Sequence, residues 1–273
     1  MRPFATVVLT VLSAPWAHAA SEQDVVSLTD ALGLPELIEV MREEGVDYAR
    51  SIEEQLFPGR GGAAWMETAS AIYDAGEMTE TVVSTMTDTL AEVEVDGLIA
   101  FFTSPRGREI VSYEVSARRA LMNEDVEEAA QARLAELQLA EDPDLDLIDR
   151  FVEANDLVES NVMGAMNSNY AFYQGLTDGG AFEDAMTESD ILADVWAQED
   201  SIRAETSAWV YSYLVMAYRP LGTDDLEAYV ALSETPEGRA LNRALFAGFD
   251  RMYGGISREL GAAAAEFMKG QDI

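Results

Sequence analysis

The chain has 273 residues, with 51 acidic against 17 basic side chains, a formal charge of −34, a single histidine and no cysteine. Such a charge repels nucleic acid and anionic lipid surfaces, and without cysteine there is no disulfide, no thiol nucleophile and no thiolate metal site. At 48% apolar residues over this length, one or two sizeable packed cores are within reach.

Residues 1–19 read as a removable export signal. Arg2 supplies the positive start, Phe4 to Leu12 an apolar run too short to span a bilayer, and Ala17-His18-Ala19 the small-x-small pattern cut before Ala20. Cleavage removes His18, the only histidine, and leaves Lys269 as the only lysine. Imidazole and thiol catalysis are therefore closed to the mature chain, and an amine nucleophile is hardly available. No later stretch reaches the roughly 20 apolar residues of a transmembrane helix. A protein of the periplasm, or a secreted one, is expected.

From there on nearly every segment reads as helix, with apolar residues recurring at three and four and no sustained period-two alternation. Helix ends are expected at Gly33-Leu34-Pro35, Pro58 to Gly62, Ser104-Pro105, Asp142-Pro143, Asp178-Gly179-Gly180, Pro220 to Gly222, Thr235-Pro236 and Gly254-Gly255. This gives on the order of ten helices, the longest expected from Glu188 to Tyr218 with Ile191, Val195, Ile202, Trp209, Tyr213 and Met216 on one stripe. The chain also echoes itself. Leu37-Ile38-Glu39 returns as Leu147-Ile148-Asp149, Gly61-Gly62-Ala63 as Gly179-Gly180-Ala181, and the acidic-aromatic helix starting at Asp96 as the one starting at Asp225. Three matches in the same order predict a tandem duplication, with a first helical repeat at 20–141 and a second at 142–273.

The most specific pattern is Ser104-Pro105-Arg106-Gly107-Arg108, repeated as Thr235-Pro236-Glu237-Gly238-Arg239. Ser or Thr caps a helix, and proline in its first turn needs no donor. Glycine two residues later is a poor helix former, so its place predicts a close backbone approach. An acidic residue with leucine, a short helix ending in aromatics, and Ser/Thr-Pro-x-Gly-Arg before a long amphipathic helix resemble the secreted bacterial proteins of domain-of-unknown-function family 2059. The resemblance covers about residues 75–135 and 195–270, with Ala231 to Glu234 lengthening the second copy. It implies a helical architecture and export, and assigns no activity.

Arg108 and Arg239 each stand in a first helical turn, where the helix dipole disfavours a cation. A neighbouring carboxylate is the plain explanation; the sharper one is an anion or partner held by the guanidinium and free helix amides, with Arg106 and then Arg118 and Arg119 widening the patch. Asp142 to Asp146 with Glu153 imitates calcium-loop spacing, but Leu147 replaces the turn glycine, so a linker and helix start are expected. The sequence points to no metal site and no cofactor. Gly59 to Gly62 follows no strand and reads as a loop. Tyr170, Phe172, Tyr173, Trp196, Trp209, Tyr211, Tyr213 and Tyr218, with Met163, Met166, Met186 and Met216, read as core, or as a groove for an apolar peptide or lipid tail. No glutamate stands out as lying in an apolar, aromatic setting.

The sequence thus predicts an all-α protein of two tandem, related antiparallel helical bundles behind a cleaved signal peptide. Its expected role is non-catalytic contact with a protein, peptide or amphiphile of the cell envelope, at the surface between the halves or near the two Pro-x-Gly-Arg turns. The alternative is a carboxylate-based hydrolase of envelope glycans, which needs two acidic groups across a cleft.

Overall fold

A computed structural model describes residues 20–182 and 187–270, so the expected signal segment and Met186 lie outside the described residues. The described residues contain thirteen α-helices and no strand. The first half runs α1 (Glu22–Ala31), α2 (Leu34–Leu56), α3 (Gly62–Ile72), α4 (Ala75–Thr89), α5 (Asp96–Phe102) and α6 (Pro105–Leu121), and α7 (Glu124–Leu139) leads into the second. There α8 (Asp144–Ala154), α9 (Leu157–Asp178), α10 (Glu188–Trp196), α11 (Glu199–Tyr218), α12 (Thr223–Ser233) and α13 (Pro236–Lys269) follow.

Local chemistry sets the boundaries. Ser21 and Asp24 open α1, and Thr187 and Asp190 open α10, each pair satisfying one another's backbone N–H as a capping box. α1 turns into α2 at Gly33, whose φ of 64° suits glycine; α8 turns into α9 at Asp156, with a φ of 50°. The loop from Pro58 folds against α2 through two hydrogen bonds, in which Gly61 and Gly62 N–H donate to Glu53 Oε1 at 3.0 and 2.9 Å. The acidic stretch at 142–146 becomes a linker and the first turn of α8.

Neighbour relations repeat between halves. α1 lies on α5 as α8 lies on α12, and α3 lies on α2 as α10 lies on α9. The helices after the two Pro-x-Gly-Arg turns cross over: α6 packs against α11 of the second half, and α13 against α4 of the first. The largest buried cluster accordingly joins residues 25–111 to residues 240–267. At its heart the Phe57, Trp65 and Phe267 rings meet with centroids 5.1 to 5.5 Å apart, and Trp65 Nε1 donates to Ala49 O at 2.7 Å. Arg60 closes this end by donating to Met268 O at 3.1 Å. A second cluster holds Ile110, Phe151, Leu214, Tyr218 and Val230, and a small third one Val162, Met166, Ile191 and Val195.

Two expectations about helix length are corrected. The helix expected over 188–218 is two, broken at Ala197 and Gln198. The break lets Ile191 and Val195 face the third cluster while Val210 and Leu214 face the second. Conversely, Gly254-Gly255 does not end a helix: α13 runs through it for 34 residues. Two glycines cost a helix about 1 kcal/mol each relative to alanine, which burial of Met252, Ile256, Leu260 and Phe267 along the same helix outweighs. Glycines matter most where α9 crosses α13. A Cβ on Gly175 would overlap the Arg258 carbonyl, and one on Gly261 the Phe172 carbonyl, so this crossing brings backbone against backbone.

Candidate functional site

The two Pro-x-Gly-Arg turns adopt the same geometry. Ser104 Oγ donates to Phe101 O and accepts from Gly107 N at 2.6 and 3.1 Å; Thr235 Oγ1 does the same with Leu232 O and Gly238 N at 2.7 and 2.9 Å. A Cβ on Gly107 would overlap the Phe101 carbonyl, and one on Gly238 the Leu232 carbonyl. The expected close backbone approach is therefore that of the preceding short helix. Phe101 and Leu232 play equal parts, so the longer second-copy stretch begins earlier, in the extra turn at the start of α12.

The arginines of these turns do not line the cavity between the halves. Arg106 Nε donates to Asp225 at 2.5 Å, tying α6 to α12 across the halves. Arg108 donates to the Thr103 carbonyl of its own turn, and Arg239 is exposed on α13. Among the described residues no group of three or more His, Cys, Asp or Glu is placed to hold a metal ion.

The cavity has a volume of about 520 Å³ and lies between the halves. The first half contributes Leu34, Leu37 and Met41 from α2, with Glu114 and Arg118 from α6. From the second come Phe151 of α8, a small-residue face of α9 with Gly164 and Ala165, and Trp209, Tyr213 and Tyr218 of α11. Tyr229 of α12 and Leu245, Phe249, Asp250 and Tyr253 of α13 complete it. Gly164 has open space in front of it, with nothing within 4 Å of an added Cβ.

Ser160, Asn161 and Ser168 of α9 and Asn242 of α13 also line the cavity, and its charged groups lie on α6 and α13. Tyr218 donates to Glu114 Oε1 at 2.5 Å, the length of a charge-assisted O–H···O⁻ bond, and Tyr213 donates to the Glu114 carbonyl at 3.3 Å. Tyr229 supplies a further side-chain hydrogen bond to Glu114. Burial raises the Glu114 carboxyl from its ordinary 4.5 to about 7, against the lowering effect of these tyrosine bonds. Burial first, and then the Glu114 charge, push the hydroxyls of Tyr213, Tyr218 and Tyr229 upward, so all three stay protonated donors. One helical turn beyond Glu114, Arg118 does not join it. Its Nε and Nη2 donate to the two Glu44 oxygens at 3.1 and 2.6 Å, and its guanidinium lies 5.2 Å from the Trp209 ring centre. Trp209 in turn stacks on Tyr213, with centroids 5.2 Å apart and planes 9° off parallel.

Sequence reading placed Trp209, Tyr213 and Tyr218 as core or groove, and here they are cavity wall. It offered Arg118 as widening an anion patch at the turns; instead Arg118 pairs with Glu44 on the cavity wall. It singled out no glutamate in an aromatic setting, and Glu114 occupies one. A signal was present: Gly107, Ile110, Val111, Ala117 and Leu121 form the buried stripe of α6, and Glu114 and Arg118 interrupt that same stripe.

No helix among the described residues is long and apolar enough to cross a membrane. No curated protein and no solved structure matches the chain. Residues 76–136, spanning α4 to α7 with Glu114 and Arg118 among them, match the sequence profile of the bacterial family described as "Uncharacterized protein conserved in bacteria (DUF2059)".

Proposed function

We propose that this is an exported, soluble binding protein of the periplasm that takes an apolar or amphiphilic small molecule into the cavity between two copies of one helical unit. The observation that carries the reading is the cavity itself. At about 520 Å³ it has the size of a small-molecule site, and it joins a mainly aliphatic and aromatic lining to a few fixed polar groups. Export follows from residues 1–19, read as a cleaved signal. The duplication is supported by the matching capped turns, the paired left-handed turns at Gly33 and Asp156, and the reciprocal packing of α6 and α13. Counted from the capping residues Ser104 and Thr235, Glu114 corresponds to Leu245 and Arg118 to Phe249, and all four line the cavity. Divergence has given equivalent positions a charged character on one side and an apolar one on the other.

The reading is non-catalytic and is tested by titrating the purified protein with N-phenyl-1-naphthylamine, a neutral apolar fluorophore. Saturable 1:1 binding, abolished by Gly164→Phe, is expected, because that side chain enters open cavity space without meeting backbone. Absence of saturable binding refutes the reading. One observation favours the second reading, a glycan hydrolase: the Glu114 carboxyl is raised to about 7 in an aromatic setting, with Asp250 also on the lining. Release of reducing ends from peptidoglycan by the wild type, lost in Glu114→Gln, selects it.

A further inference from the structure

The charges that line the cavity do not balance. Arg118 is its only basic lining residue, and its charge is already paired: its Nε–Nη2 edge donates to the two oxygens of Glu44 and its guanidinium lies over the Trp209 ring. Glu114, by contrast, is met by hydroxyls alone among the described residues: Tyr218 and Tyr229 at the carboxylate, Tyr213 at its backbone carbonyl. The second lining carboxylate, Asp250, accepts from the neutral Asn167 amide at 2.8 Å. A half-buried carboxylate on a cavity wall without a cation is an unfavourable arrangement that a bound cation relieves.

The rings around Glu114 are arranged for the same purpose. Phe151, Tyr218 and Tyr229 pack on one another, with centroids 5.3 Å (Phe151 to Tyr218), 4.8 Å (Phe151 to Tyr229) and 6.0 Å (Tyr218 to Tyr229) apart. Two of the three also hold the carboxylate through their hydroxyls. Aromatic faces beside a carboxylate recognise quaternary alkylammonium groups, whose charge is too diffuse for strong hydration. A chain of formal charge −34 further concentrates cations at its surface.

We infer that the ligand is an organic cation with an apolar body, its alkylammonium group seated on Glu114 among Phe151, Tyr218 and Tyr229 and its hydrocarbon lying toward Leu245 and Phe249. This rests on the cavity-binding reading above and adds the charge of the ligand. An anionic amphiphile is disfavoured at the same place, because Glu44 already neutralises Arg118 while Glu114 and Asp250 add negative charge to the lining.

The test compares octyltrimethylammonium, octanol and octanoate, which share a tail, by calorimetric titration of wild type and Glu114→Gln at pH 8. The cation is expected to bind wild type at least about tenfold more tightly than octanol. Glu114→Gln should erase that preference, so that cation and octanol bind the variant about equally, and a cooperative denaturant transition shows that the variant is folded. A pH series adds a second readout. The groups facing Glu114 are Tyr213 and Tyr218 on α11, Tyr229 on α12, Arg118 on α6 with its partner Glu44 on α2, and Tyr253 and Asp250 on α13. Of these the tyrosines and Arg118 are held in their ordinary protonation states. With Glu114 at about 7, cation affinity rises about tenfold from pH 6 to pH 8 and octanol affinity stays level. Equal binding of cation and octanol, a preference for octanoate, or a cation preference that survives Glu114→Gln overturns the inference and leaves the cavity reading standing. Failure of all three probes to bind overturns both.

Discussion

Glu114→Gln also makes a quantitative prediction about stability. In the unfolded chain the Glu114 carboxyl titrates near its ordinary 4.5, whereas in the fold burial holds it at about 7. Between these values the native state carries a proton that the unfolded state has lost, so this group's contribution to stability falls as pH rises through the window and is level above it. The full difference corresponds to roughly 3 kcal/mol, of which about 2 kcal/mol falls between pH 5 and pH 8. Glutamine has the same shape, its Oε1 still accepts from Tyr218, and it never ionises. The variant's advantage over wild type should therefore grow by about 2 kcal/mol from pH 5 to pH 8, read by guanidinium unfolding followed by circular dichroism. Glu128→Gln, on the exposed face of α7, removes the same formal charge and should show no such growth. Growth of less than about 0.5 kcal/mol in Glu114→Gln, or equal growth in the two variants, would refute the argument that burial sets the charge of the cavity.

Three further outcomes follow from the packing. Arg118→Met strands Glu44 and removes the cation from the Trp209 face, and should lower stability by about 1–3 kcal/mol, since both partners are only partly exposed; Arg118→Lys should fall in between, as read by denaturant midpoints. Gly261→Ala forces a methyl onto the Phe172 carbonyl and should cost at least about 2 kcal/mol, whereas Gly254→Ala, with open space around it, should raise stability by about 0.5–1 kcal/mol in thermal melts. Ser104→Ala and Thr235→Ala each remove one cap and one bond to the preceding helix, and should destabilise by similar amounts of about 1 kcal/mol.

How much of this was legible beforehand varies with the range of the interaction. Caps and breaks at Gly33, Ser104 and Thr235 involve residues three or four apart, and composition with periodicity announces them. The echo between Ser104-Pro105 and Thr235-Pro236 was equally visible, because a short turn with a required glycine leaves little freedom in sequence. The course of α13 through Gly254-Gly255 was not, since local propensity argues for a stop there and burial against α4 and α9 decides otherwise. The split at Ala197 failed for the converse reason: the stripe is continuous in sequence, but its two parts face different neighbours.

By itself, then, the chain determined its helical class, its acidity, its lack of thiols and the form of its capped turns, all of which depend on composition or on contacts within a few residues. Only the tertiary structure decided that α6 crosses to α11 and α13 to α4, and so that Glu114 meets Tyr218 and Tyr229 while Arg118 meets Glu44. Those partners lie more than 70 residues away in sequence, Glu44 at a separation of 74 and Tyr218 at 104. The stripe of α6 shows that Glu114 and Arg118 point inward, but what each of them meets there is a property of the helices packed over it, and no pattern along one helix contains that information.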